Sequence, residues 1–243
     1  MVRFPRTAPD RFAAMPAADV PVRVWDLPTR LFHWLLAATV VGSIVTAKIG
    51  GGAMVWHFRL GLLALGLIAF RLLWGLVGGR WSRFAWFVYA PGTVLRYLRG
   101  GSRPDEHHDV GHSPLGSLSV FAVLGLLAVQ VGTGLVADDE IANVGPLNRF
   151  VSGATALSAT AWHKEWGANL LIALIVLHVA AIVYYAVARR RNLVRPMIVG
   201  DKPLPAGTPA SADGLAQRLL ALVLAAACGA LVAWVVRLGG GGV

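Results

Sequence analysis

Five stretches of this chain, residues 31–48, 55–77, 115–137, 163–188 and 215–236, stay apolar over lengths that match a bilayer. A helix needs about 20 mostly apolar residues to cross a hydrocarbon core of about 30 Å. Inside lipid every backbone N–H and C=O must be satisfied within the protein, so runs of this length commit the chain to helices. The expected fold class is all-α, an integral membrane helical bundle. Composition points the same way, with 56% of residues hydrophobic, 14% charged and a mean hydropathy of +0.64. A soluble domain carries roughly 25% charged residues, so a disordered chain is excluded and a soluble enzyme fits poorly. The net charge of +10 would ordinarily suggest nucleic acid. Here the basic residues sit between apolar runs rather than in a stripe, so membrane lipid is the expected partner and nucleic acid is not. The single cysteine, Cys228, excludes an internal disulfide, a cysteine-based zinc site and an iron–sulfur cluster held by this chain alone. There is no C-x-x-C-H, which excludes covalent haem attachment.

Basic residues set the expected orientation, because cytoplasmic loops of membrane proteins are enriched in Lys and Arg. Segments 1–30, 79–114 and 189–214 hold fifteen of them, from Arg3 to Lys202. The opposite side has Lys48, Arg149, Lys164 and Arg237, together with Asp138, Asp139, Glu140 and Glu165. A cytoplasmic N-terminus and an outer C-terminus follow. Residues 1–24 are broken by prolines and charges, which reads as a cytoplasmic tail rather than a secretory signal. Residues 25–191 form the expected four-span domain, and Pro28 suits the first turn of its first helix. Residues 192–214 read as a mobile, Pro/Gly-rich cytoplasmic connector, and 215–243 as a fifth span with a short outer tail. The loop 79–114 mixes Trp81, Trp86, Tyr89 and Tyr97 with arginines, as expected of a segment anchored in the headgroup region. Its His107, His108 and His112 could ligate a metal, but a solvated polar loop is the expectation.

Four further histidines, His33, His57, His163 and His178, fall within or at the edges of spans. An ionisable side chain in a membrane segment is a functional-site candidate, because burying it unpaired is costly. His163 and His178 lie 15 residues apart on the fourth span. In an α-helix that is about 22 Å along the axis and about 60° round it, so they share roughly one face near opposite membrane sides. With the orientation above, His57 and His163 lie at one outer level, and His33 and His178 at one inner level. The two inner residues match imperfectly in depth, so tilt or a cytoplasmic extension of the fourth helix is expected. Two facing imidazoles in an apolar bundle suit a b-type haem, whose iron takes two axial nitrogens while the macrocycle fills the space between helices. Zinc would want a third or fourth ligand at each pair, and none is apparent.

Two local features extend the site. WHFRLG (Trp56 to Gly61) is echoed by WHKEWG (Trp162 to Gly167), which places Gly61 and Gly167 one turn from a histidine, with room for a flat macrocycle. Haem propionates need cationic partners. Arg30 is the leading inner candidate, Arg59 and Lys164 are outer ones, and Arg71 either serves the inner haem or snorkels to the interface.

RVWDLPTRLFHW, the RLLWG after His57, and HKEWGANLLIALIVLHVAAIVYY resemble the bacterial cytochrome b-561 family, which includes the b-type cytochrome subunit of nickel–iron hydrogenases. The resemblance spans roughly residues 22–200 and implies a four-helix core enclosing two haems b, with His33, His57, His163 and His178 as axial ligands. It also implies electron transfer between a quinone pool and a partner such as a cytochrome c or a dehydrogenase. The fifth helix departs from that core. The expected function is a di-haem relay across the inner membrane. The alternative is a stand-alone quinone reductase using an outer-face donor such as superoxide. Gln130 and His112 are minor candidates for a quinone contact. Six-coordinate iron leaves no open position, which disfavours oxygen chemistry at the metal.

Overall fold

The computed structural model of the protein describes residues 19–103, 106–141 and 143–240, so the expected tail lies outside the described residues as far as residue 18. The elements run β1 (Asp19–Arg23), α1 (Leu27–Ile49), α2 (Met54–Val77), α3 (Pro91–Leu98), α4 (Pro114–Val136), α5 (Gly153–Ala161), α6 (Ala168–Val187), α7 (Val194–Val199), β2 (Asp201–Pro205) and α8 (Leu215–Leu238). A single π-helical turn, Trp162–Gly167, joins α5 and α6 into one rod of 35 residues. Among the described residues, five units are long and apolar enough to cross a membrane: α1, α2, α4, the α5–α6 rod and α8. The chain is a multi-pass helical membrane bundle, with one two-stranded antiparallel ribbon, β1–β2, at one end.

Local chemistry sets the helix ends. The Asp26 carboxylate accepts the Thr29 N–H at 2.8 Å and Pro28 occupies the first turn, which caps α1. Gly50, at φ 68°, stops α1 in a conformation that costs glycine nothing, and the chain turns back into α2. Ser113 and Pro114 start α4 in the same manner as Asp26 and Pro28 start α1.

The helix α2 is central and packs against α1, α4 and α8, while α4 packs against the rod. Phe32, Leu36, Leu67, Phe70, Trp74, Leu124 and Leu127 fill the space between them. Lipid tails are as apolar as leucine, so close approach rather than water exclusion holds such helices together. Gly66 illustrates this, since a Cβ there would lie 3.3 Å from Val232 of α8. Gly66 is nine residues from His57, about half a turn round the helix, so α8 covers the face of α2 turned away from that histidine. The rod is different. Only Leu171 of α6 is buried, although that helix is rich in Leu, Ile and Val.

Two expectations for the loops are corrected. The connector is ordered: β2 pairs with β1, Arg23 bonds Asp201 at 2.5 Å, and Asp213 accepts the Leu27 N–H at 3.0 Å and pairs with Arg23. The segment with three histidines is not a solvated loop. His108 is 6% exposed, and the His112 ring lies 4.7 Å from Trp25 and 4.4 Å from Phe87. Trp81 and Val110 pack with Val22, Val24, Trp25 and Leu204 into a second apolar cluster capping the ribbon end of the bundle.

Candidate functional site

The four membrane histidines come together in two pairs. His57 and His163 have ring centroids 6.0 Å apart, and His33 and His178 have theirs 6.4 Å apart. A metal bonded to two imidazole nitrogens at about 2.0 Å each sets ring centroids about 6.3 Å apart. No group of three or more His, Cys, Asp or Glu suited to a metal occurs among the described residues. Each pair thus offers two nitrogens and no more, which suits an iron whose other four ligands come from a porphyrin.

The pair at the end away from the ribbon is held in detail. His57 Nδ1 donates to the Ser43 carbonyl at 2.9 Å, and His163 Nδ1 donates to the Gln130 carbonyl at 2.8 Å. A carbonyl only accepts, so both protons sit on Nδ1 and both Nε2 lone pairs are free for a metal. The π turn contributes directly. The His163 carbonyl accepts Gln130 Nε2 at 2.9 Å as well as the Ala168 N–H five residues on, so one glutamine holds both the backbone and the ring of His163. Gly134 lets α4 approach, because a Cβ there would lie 3.0 Å from His163 Cε1.

The pair at the ribbon end is held less tightly. His33 Nδ1 is buried without a partner, His33 meets Trp34 edge-on at 5.0 Å, and His178 is exposed on α6. Arg71 lies close to this level. It is 14 residues from His57, about 21 Å further along α2 and back on nearly the same face. It is 3% exposed, its guanidinium sits 4.6 Å over the Phe84 ring, and Nη1 has no partner. A buried cation with a spare donor is a ready partner for a propionate.

The remaining candidates fare differently. Arg30 donates to the Ile198 carbonyl at 2.5 Å and lies 3.9 Å from Asp213, so it ties α1 to the segment after the rod. Arg59 stacks on Trp56 at 5.1 Å and Lys164 is exposed. Nothing lies within 4 Å of a Cβ at Gly61, which leaves open space one turn from His57, whereas Gln130 and the Trp162 ring fill the space beside Gly167. Sequence reasoning missed Asp26. It is fully buried and accepts from Thr29 N, Trp74 Nε1 at 3.1 Å, Gly79 N at 3.1 Å and Ser82 Oγ at 2.6 Å. It thereby locks the start of α1 to the end of α2. The D-x-x-T capping pattern was its only visible signal.

Paired imidazoles between membrane helices, each pair at the spacing of two nitrogens on one metal, mark a membrane cytochrome of the b type. The prokaryotic cytochrome b561 family matches residues 24–200, and the chain belongs to that family. It is 23% identical over 190 residues to the probable Ni/Fe-hydrogenase 1 B-type cytochrome subunit of Escherichia coli K12, covering 64% of this chain and 80% of that one. It is 24% identical over 213 residues to the probable Ni/Fe-hydrogenase B-type cytochrome subunit of Azotobacter vinelandii, covering 74% and 87%. The corresponding subunit of Cupriavidus necator is 25% identical over 211 residues, covering 73% and 85%. No solved structure gives a significant match.

Proposed function

We propose that the protein is a bis-histidine, di-haem electron relay of the bacterial inner membrane, working between the quinone pool and a dehydrogenase-type partner. The observation that carries this is the pair of imidazole couples at 6.0 and 6.4 Å, built from α1, α2 and the two ends of the rod. Haem b supplies a one-electron iron couple in the apolar interior. His57 and His163 would hold one haem and His33 and His178 the other, about 20 Å apart along the rod. The Ser43 and Gln130 carbonyls orient the first pair and raise its basicity. Arg71 would bind a propionate at the second level, and Gly61 leaves room for a macrocycle edge at the first.

The hydrogenase-linked names of the relatives support a hydrogenase as partner and favour the relay over a stand-alone quinone reductase. The asymmetry of basic residues supports a cytoplasmic ribbon end. A pyridine haemochrome assay against protein concentration tests the reading. Two non-covalent haems b per chain are expected, and one or none after full cofactor loading overturns it.

A further inference from the structure

A partly polar cavity lies apart from the histidines. It has a volume of about 400 Å³ and sits where the end of α2 meets the start of α8, between the turn at 77–83 and the segment 210–220. Arg80 and Arg83 line it together with Gln217, and Leu220 and Val77 form its apolar side. Neither arginine takes part in a salt bridge among the described residues, although Arg23, Arg30, Arg96, Arg191 and Arg218 all do. Both have a buried Nε without a hydrogen-bond partner. Arg80 is held in place by the Trp86 ring, 4.0 Å below its guanidinium, so it is presented rather than free to swing into water. The first turn of α8 adds backbone N–H groups with no side-chain cap.

We infer that this cavity binds the phosphate headgroup of an anionic phospholipid. The chemistry selects an anion with several acceptor oxygens, because two guanidinium groups and a helix start offer donors and the lining holds no carboxylate. The position selects a lipid over a free ion. The cavity lies at the end of one span and the start of another, and Val77 of α2 and Leu220 of α8 form the part of its wall that belongs to the spans themselves. Basic pockets between spans are where anionic headgroups bind. The assignment does not depend on haem content or on which membrane side the ribbon end faces.

Native mass spectrometry of the intact, haem-loaded protein tests this in mixed micelles containing equal phosphatidylglycerol and phosphatidylcholine. Each arginine near an anionic headgroup contributes about a fivefold preference, so about 25-fold for two. The wild type should retain phosphatidylglycerol over phosphatidylcholine by at least tenfold, and Arg80→Gln/Arg83→Gln should bring the ratio near one with an unchanged Soret band. Arg99→Gln, an exposed arginine outside the cavity, serves as the control and should leave the preference intact. A wild type without preference, or a control that loses as much as the double variant, overturns the inference. Competition with inorganic phosphate separates the two sources. Displacement of phosphatidylglycerol at millimolar phosphate would show a free-anion site and overturn the lipid assignment, whereas no displacement supports it. If the double variant loses its Soret band, Arg80→Lys/Arg83→Lys decides instead, and it should keep most of the preference.

Discussion

Replacing Asp26 with alanine should destabilise the protein by about 4 kcal/mol, and the structure shows why. Four buried donors converge on this carboxylate, but they do not lose equally. Trp74 Nε1 keeps a second acceptor in Thr29 Oγ1 at 3.2 Å, and Ser82 Oγ keeps its contact with Thr29 Oγ1 at 2.7 Å. The N–H groups of Thr29 and Gly79 keep nothing in their place. A buried donor left unsatisfied costs roughly 1–3 kcal/mol, so two cost about 4 kcal/mol. Asparagine retains one acceptor oxygen and turns its amide toward Ser82, leaving one N–H poorly satisfied. Asp26→Asn should therefore cost about half as much. Unfolding of the purified protein by rising SDS in mixed micelles, followed by far-ultraviolet circular dichroism, reads both values. The reasoning is refuted if alanine costs under about 1 kcal/mol, or if asparagine costs as much as alanine. The consequence also reaches the site, because Asp26 sets how deep His33 sits against α2, and the haem at that level should be lost first on heating the variant.

Alanine at His57 or His163 should remove the same haem, and alanine at His33 or His178 the other, each halving haem content. Redox difference spectra of the four variants check the pairing. Gly61→Leu should lower haem occupancy with little effect on the apoprotein, since nothing lies near that position, whereas Gly167→Ala should destabilise the apoprotein by driving into Gln130 and Trp162. Haem titration and SDS unfolding separate the two cases. Burial, reinforced by the charges of Arg71 and Lys202, pushes the His112 imidazole down to about 3. The unfolded chain therefore binds a proton near pH 6.5 that the folded chain refuses, so this residue's share of stability is intact above about 6.5 and is lost as pH falls toward about 3. In His112→Leu the slope of stability against pH between those values should be shallower.

The sequence carries the spans and the histidine levels because both depend on short-range periodicity. An apolar run of fixed length needs a helix, and 15 residues of helix fix a distance and a face. Pro28 likewise sits where a local capping argument puts it. The surroundings of Arg30 are illegible for the opposite reason. Its partners, the Ile198 carbonyl and Asp213, lie some 170–180 positions away, and no local pattern announces them. The same holds for the connector, whose loop-like Pro and Gly content is overridden by pairing with β1. The segment around His108 and His112 looks polar in sequence, yet Tyr89, Tyr97, Trp25 and Phe87 enclose both rings. The π turn is invisible to a reading that assumes 3.6 residues per turn throughout. Arg71 was legible as a cation near one end of α2, but its isolation over Phe84 was not.

That single wide turn has a further consequence. It accommodates one more residue than a regular turn, and a residue is worth about 100° of rotation in an α-helix. Deleting one position between Lys164 and Trp166 would restore uniform winding and leave His178 near its present azimuth, whereas the same deletion in the regular helix beyond would swing it by about 100°. The rod behaves as a crankshaft whose one irregular journal takes up a residue without turning its two throws against each other.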